Sequence, residues 1–164
     1  MSETRLELRL RPPSPQAAGG RLVNEVGYLL DTNVVSALRR PDKEPLVAAW
    51  AATIPLVRLY LAAPVVAEIG LGVAAKERQD PAAGAILRAW FEGKVLPAFG
   101  DRILPFDTKA ALILTAYRVP TDAPYDDALI AAVAEANGLT VATRNVSHFA
   151  SFGVPLVNPW DHHA

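Results

Sequence analysis

The sequence contains no cysteine, which excludes disulfide bonds, thiol nucleophiles and zinc sites built from thiolates. It also lacks a basic excess, because 16 lysines and arginines stand against 17 aspartates and glutamates, for a formal net charge of −1. A nucleic acid would therefore have to be held by a local patch, a metal ion or a partner. No apolar run reaches the roughly 18 residues that span a bilayer, and charges near the N-terminus exclude a signal-peptide core there. These absences predict a cytoplasmic protein that does not enter the membrane.

What the sequence does have is apolar content, since 51% of its 164 residues are hydrophobic. A chain of this length suggests one domain, which can bury about 68–70% of its unfolded surface. Residues 1–25 differ from the rest, because “RPPSPQAAGG” is a Pro/Gly/Ser/Ala stretch that cannot bury much apolar surface. We predict a flexible arm over residues 1–25 and a folded domain over residues 26–164. The arm could be a disordered tail or a partner-binding segment, or natural translation could start near Val26.

From Tyr28 onward, short apolar runs alternate with segments at helical spacing. The runs “YLL”, “VRLYLAA”, “LTVAT” and “VPLVNP” predict strands, and “VLPAF” and “RILPF” predict two short extended pieces. Asp107 is a good N-cap for the helix after it, and Gly138 ends the helix that begins at “YDDALIA”. This alternation predicts an α/β fold of three layers, with helices flanking a central parallel sheet.

Acids and amides stand at the ends of several predicted elements. They are Asp31, Glu68, Asp126, Asp127 and Asn145. Because ligands of such sheets bind at the carboxyl ends of the strands, these side chains could meet there. Ordinary structural interpretations exist as well: Asp31 is placed to cap the next helix, the Asp126–Asp127 pair suits a helix N-terminus, and Asn145 could satisfy a turn.

Glu68 could be a solvated helix residue, yet no other charge lies between Arg58 and Lys76. A lone carboxylate in such a stretch is costly to bury unless it is paired or bound to a metal. Converging carboxylates repel one another, and Mg²⁺ or Mn²⁺ can neutralise them, polarise a phosphoryl oxygen and activate water. In that case Thr32 and Asn33 could donate hydrogen bonds that orient the carboxylates.

Four blocks of the sequence occur together in a recognisable order. They are “YLLDTNVVSALRRP”, “PVVAEIGLGV”, “DDALIAAVAEANGLTVATRNVSHF” and “GVPLVNPW”. This set resembles the PIN-domain ribonuclease family, and within it the VapC-type toxins of the FitB-like subgroup, over roughly residues 27–160. The resemblance implies a PIN-like fold, metal-dependent RNA cleavage, a cognate antitoxin as partner, and assembly as a homodimer or hetero-oligomer.

Carried over residue by residue, the resemblance assigns the catalytic and metal-binding acids to Asp31, Glu68 and Asp127. Supporting polar positions are Thr32, Asn33, Thr143 and Asn145. Asn145 matches a fourth position that is Asp in many relatives, and His148 stands where relatives often have Asp. Because the fourth position is neutral here, a one-metal mechanism is favoured over a two-metal one.

The sequence therefore predicts a Mg²⁺- or Mn²⁺-dependent endoribonuclease, the toxin of a type II toxin–antitoxin pair. Arg144 could meet a substrate phosphate, or it could be a surface or antitoxin contact. The helical segments “EPLVAAWAATI” and “GAILRAWFEG” are candidates for an antitoxin groove. An alternative is a weakly active or inactive protein that acts mainly as a partner in a regulatory complex, touching DNA only through its antitoxin. A phosphatase of the haloacid dehalogenase class is disfavoured, because Asn33 stands where a second Asp would be needed.

Overall fold

The computed structural model describes residues 26–117 and 124–163, and the predicted arm over residues 1–25 lies outside them. The strands are β1 (Tyr28–Leu30), β2 (Leu59–Ala62), β3 (Ile103–Leu104), β4 (Thr140–Ala142) and β5 (Leu156–Val157). They form one sheet in the order β3-β2-β1-β4-β5, and every neighbouring pair is parallel. The chain adds β2 and β3 on one side of β1 and then β4 and β5 on the other. The strand order therefore reverses at β1, which is where open parallel sheets form a ligand-binding crevice.

Helices flank this sheet and confirm the predicted α/β class. They are α1 (Thr32–Leu38), α2 (Pro45–Ala52), α3 (Ala63–Gln79), α4 (Pro81–Trp90), α5 (Leu96–Phe99), α6 (Thr108–Ala116), α7 (Tyr125–Ala136) and α8 (Val146–Phe149). The predicted caps are confirmed: Asp107 accepts a hydrogen bond from the Ala110 amide, and Gly138 follows α7 with a φ of 64°. In residues 26–117 and 124–163, no helix has the length and apolar character needed to cross a bilayer.

The segment “VLPAF” is helical, so the prediction of an extended piece there was wrong. A π-helical turn (Phe91–Val95) leads into α5, and Pro97 lies in the first turn of α5, where a missing N–H costs nothing. Val95, Ala98 and Phe99 are all buried, at the i, i+3, i+4 spacing of a helical face. The companion prediction was correct, since “RILPF” contains β3.

The helix α7 lies at the centre of the core. Its buried residues are Ala128, Ile130, Ala131, Ala132, Val133, Ala134 and Ala136. Five of these seven are alanines, and small side chains let a helix pack closely against its neighbours. Since a tightly packed helix is held rigidly, the acidic residues of its first turn, Asp126 and Asp127, have a fixed position beside the sheet.

Candidate active site

Asp31 follows β1 directly and is the N-cap of α1, which confirms the interpretation of this residue as a helix cap. Its side chain is only 4% exposed. Oδ1 accepts a hydrogen bond from the Thr32 amide at 2.7 Å. Oδ2 accepts one from Asn33 Nδ2 at 2.8 Å and one from the Thr143 hydroxyl at 2.7 Å. Burial raises the pKa of Asp31 despite these hydrogen bonds, and the charge of Asp127 raises it further. A buried carboxyl group of this kind favours a compensating cation.

Thr143 joins the end of β4 to the start of α1. It is fully buried, and its hydroxyl accepts a hydrogen bond from the Asn145 amide at 2.9 Å while donating to Asp31. The Asn33 side chain completes this connection, because its Oδ1 accepts from the Arg144 amide at 3.3 Å. Asn145 reaches the cluster through its backbone, and its exposed side chain makes no hydrogen bond that caps α8.

Glu68 reaches the same place from α3, where it accepts a hydrogen bond from the Thr32 hydroxyl. Its side chain is exposed, which agrees with the interpretation of Glu68 as a solvated helix residue. The physical reason is that Glu68 lies on the solvent side of α3, while the neighbouring apolar positions Val65 and Ile69 face the core. Glu68 is thus paired with a hydroxyl at the mouth of the site.

Asp127 comes from the first turn of α7, and its side chain is 14% exposed. Its Oδ2 lies 3.0 Å from Nδ1 of His148. Burial is the main cause that raises the pKa of Asp127, and the charges of Glu68 and Asp126 raise it as well, whereas the His148 contact lowers it. Asp126 is exposed. The negative charge of Asp127 thus acts on Asp31, and that of Glu68 acts on Asp127.

These three carboxylates fit a hard divalent cation by their chemistry. All are oxygen donors. Burial chiefly, and the neighbouring negative charges to a lesser degree, raise the pKa values of Asp31 and Asp127, and a positive charge would offset both effects. Within the residues that the structure describes, no three acidic, histidine or cysteine side chains are already gathered as a metal cluster. The arrangement therefore suits Mg²⁺ or Mn²⁺, which bind through few carboxylates and several waters, better than a closed protein cage.

A family model described as the PIN domain matches residues 28–153, which include all of these acids. This chain belongs to the PIN domain family. It is 39% identical over 138 residues to VapC ribonuclease Y4jK of Sinorhizobium fredii, covering 81% of this chain and 97% of that protein. It is 38% identical over 141 residues to toxin FitB of Neisseria gonorrhoeae, covering 80% and 97%. The solved structure of FitAB bound to the IR36 DNA fragment matches at a TM-score of 0.73 and 36% identity, covering 84% of this chain and 98% of that one.

In this PIN domain, Arg144 follows Thr143 directly, and its side chain contacts an aromatic ring. Its guanidinium lies 5.2 Å from the centroid of the Trp160 ring. The Trp160 indole nitrogen in turn donates to Glu44 at 2.8 Å, which fixes the ring against the segment before α2. Arg144 is exposed, so its guanidinium is presented to solvent on an aromatic support.

The structure also shows contacts of residues to which the sequence assigned no role. His148 was noted only as a departure from relatives, yet it contacts Asp127 directly. A groove lined by α1, α3 and α4 opens at Glu68 and Thr32 and contains Arg39 and Arg40. The adjacent arginines in “ALRRP” were the signal for this groove, but only the fold places them next to an acidic site. Of the two segments predicted to border an antitoxin groove, the one in α4 lines this groove and the one in α2 does not.

Proposed function

We propose that this PIN domain is a divalent-metal-dependent endoribonuclease and the toxin of a type II toxin–antitoxin pair. One observation supports this most strongly: Asp31 is buried at the end of the central strand, held by three donors, and coupled through charge to Asp127. A carboxylate that only capped a helix would not need three donors or an acidic neighbour. The names of the similar proteins, a VapC ribonuclease and toxin FitB, supply the substrate class and the biological role.

In this proposal each residue of the cluster has a physical task. Asp31, Glu68 and Asp127 hold Mg²⁺ or Mn²⁺, which when bound polarises a phosphoryl oxygen and lowers the pKa of water. The hydrogen bonds of Asn33 and Thr143 fix Oδ2 of Asp31, so that its orientation is set before substrate arrives. Thr32 does the same for Glu68 through its hydroxyl.

The phosphate of the RNA backbone is the group that the remaining side chains would meet. Arg144 follows Thr143 in the chain, is exposed and is supported by Trp160, so it can donate to a phosphate oxygen. Asn145 keeps the turn after β4 in place through its backbone amide, which bonds to Thr143. An amide at this position adds no negative charge, which suits one metal ion rather than two.

We further propose that an antitoxin is the partner of this chain and that any DNA contact passes through it. The support is the similarity to FitAB bound to a DNA fragment, together with a net charge of −1 that offers no general basic surface. A homodimer or hetero-oligomer of toxin and antitoxin is the assembly that this proposal implies.

The proposal is tested by incubating the purified chain with a defined single-stranded RNA in Mn²⁺, in Mg²⁺ and in EDTA. We expect cleavage in either metal, none in EDTA, and a loss of roughly 10²–10⁴-fold in Asp31→Asn, the range that a positioned catalytic group supplies. Asp126→Asn is the matched control, because Asp126 is exposed and lies one position from Asp127. Two results would contradict this mechanism: RNA cleavage that persists in EDTA, or an Asp31→Asn variant that cleaves RNA as fast as wild-type protein.

A second candidate is a regulatory partner with little or no nuclease activity. It is favoured by one observation, which is the net charge of −1: the composition has no basic excess that would hold RNA. The same digestion separates the two candidates. A chain that binds an antitoxin but leaves RNA intact in both metals would support the second.

A further inference from the structure

A groove with a volume of about 780 Å³ leads away from the acids between α1, α3 and α4. One end is marked by Thr32 and Glu68, which are hydrogen-bonded to each other. The other end contains Arg39, Arg40 and Lys76. At 1.5 Å of rise per residue, the eight-residue step from Glu68 to Lys76 along α3 separates the two ends by roughly 12 Å. The groove is therefore continuous with the active site but extends well beyond it.

The far end of the groove is a concentration of positive charge on a chain whose net charge is −1. Within the described residues, no carboxylate forms an ion pair with Arg39 or Arg40. Lys76 has Asp80 at 3.9 Å, but both side chains are about half exposed, so this pair holds the lysine only weakly. The three cations are thus available to an anion that enters the groove.

The same end of the groove offers an aromatic surface. The Arg39 guanidinium lies 5.8 Å from the centroid of the Trp90 ring. The indole nitrogen of Trp90 is buried. Among the described residues, it is the one buried side-chain nitrogen or oxygen that has no hydrogen-bond partner. A guanidinium beside an indole combines a phosphate donor with a surface on which a base can stack, which is the pairing that single-stranded nucleic acids require.

We propose that this groove binds the segment of single-stranded RNA that flanks the scissile phosphate, with Arg39 and Arg40 contacting backbone phosphates and Trp90 contacting a base. This inference rests on the proposed ribonuclease function. An acidic cluster repels a polyanion until a metal is present, and cations some 12 Å away compensate for that repulsion. In this position the groove holds the RNA segment on one side of the cleaved phosphodiester bond.

The test measures binding separately from cleavage. A fluorescent single-stranded RNA is titrated by anisotropy against Asp31→Asn protein in EDTA, so that the RNA stays intact. We expect Arg39→Ala and Arg40→Ala each to raise Kd about tenfold and to reduce the slope of log K against log salt by about 0.7 per lost phosphate contact. Arg78→Ala is the matched control, because Arg78 is an exposed arginine of α3 that does not line the groove; we expect it to change neither quantity.

Three outcomes would overturn the inference. The groove variants could bind RNA with unchanged Kd and salt slope, or the Asp31→Asn protein could fail to bind RNA at all. A poly-glutamate peptide could bind as tightly as RNA and lose affinity in the same two variants, which would assign the groove to a protein partner. Thermal unfolding of each variant checks that the fold is intact.

Failure of the groove can be told apart from failure of the proposed function. If wild-type protein cleaves RNA and Arg39→Ala cleaves it with the same kcat/KM, the proposed nuclease function is supported and the assignment of the groove to RNA is rejected. If the groove variants lose RNA binding while wild-type protein cleaves nothing in either metal, the groove is supported as an RNA-binding site and the proposed nuclease function is rejected.

Discussion

Asp31 combines two demands that usually fall on different residues. As an N-cap it must accept the Thr32 amide, and as a site carboxylate it must keep a fixed orientation in a buried position. The donors from Asn33 and Thr143 stabilise its ionised form, yet burial outweighs them and the pKa of Asp31 is raised. Without a bound cation, ionised Asp31 therefore lowers the stability of the folded state.

A dependence of stability on pH follows from this imbalance. A carboxyl group whose folded pKa exceeds its unfolded value binds more protons in the folded state, so its contribution to stability falls as pH rises between the two values. In EDTA, we expect the unfolding free energy of wild-type protein, minus that of Asp31→Asn, to decrease as pH rises from the ordinary aspartate pKa of about 3.9 toward the raised one. Chemical denaturation at a series of pH values measures this difference. A difference that grows with pH would contradict the raised pKa of Asp31.

His148 offers a second prediction at the scale of one residue, and it rests on the proposed metal site. Its Nδ1 lies 3.0 Å from Asp127 Oδ2, so it positions that carboxylate by donating to one of its oxygens. Partners of this kind typically contribute about 10–100-fold to metal affinity. We expect His148→Ala to weaken Mn²⁺ binding in calorimetry by about tenfold or more, with little change in thermal stability because His148 is exposed.

The shape of the imidazole provides the control for this prediction. His148→Asn places an amide nitrogen near the position of Nδ1 and should restore most of the Mn²⁺ affinity. His148→Gln places its amide nearer the position of Nε2 and should restore less. If the alanine variant binds Mn²⁺ like wild type, His148 has no positioning role.

The acids and most of the supporting polar residues that the sequence singled out lie together in the structure, and their metal-binding role stays a prediction. Asp31 and Asp127 stand at element ends, and the order of strands and helices was enough to bring those ends together. The exposure of Glu68 could not be derived in the same way, because an uncharged stretch does not reveal which side of its helix faces solvent. The His148 contact depends on the angle between α7 and α8, which no local pattern encodes.

At the scale of elements, the hairpin of α3 and α4 depends on one glycine. Gly84 is buried, and a Cβ added there would lie 2.6 Å from the backbone nitrogen of Glu77. The side chain of Glu77 also pairs with Arg88 through two contacts, at 2.5 and 2.7 Å, which keeps the two helices in register. The close approach of α3 and α4 in turn forms one wall of the groove.

We therefore expect Gly84→Ala to destabilise the fold by about 1–3 kcal/mol, the usual cost of overpacking. Gly72→Ala is the control, since Gly72 is a helical residue of α3 whose added Cβ would meet nothing within 4 Å. That change should raise stability by up to about 1 kcal/mol through helix propensity. Urea denaturation measures the free energy of unfolding of both variants. Equal effects of the two substitutions would count against a close contact at Gly84.

Elements with strong local signals were predicted well, and those defined by packing were not. Asp107 and Gly138 mark helix ends by chemistry that acts within a few residues. The stretch “VLPAF” is short and apolar, so its periodicity cannot separate a strand from a helical turn. Its helical form is decided by burial of Val95, Ala98 and Phe99 on one side.

At the scale of the whole molecule, the reversal of strand order at β1 explains why the acids meet. Helices α1, α3 and α7 begin near the carboxyl edge of the sheet, and each contributes one polar group or carboxylate from its first turns. The α/β class followed from the alternation of elements in the sequence. The boundary between the arm and the domain at residue 26 stays a prediction.

The hydrogen bond from Thr143 to Asp31 joins residues that lie 112 positions apart. The acid at the start of the domain is therefore completed by a strand that is made near the end of synthesis. Until β4 has been translated and has paired with β1, Asp31 lacks the buried hydroxyl donor of Thr143. A growing chain on the ribosome that has not yet reached β4 therefore lacks the hydrogen bond that fixes Oδ2 of Asp31. Under the proposed nuclease function, products truncated before β4 should leave RNA intact.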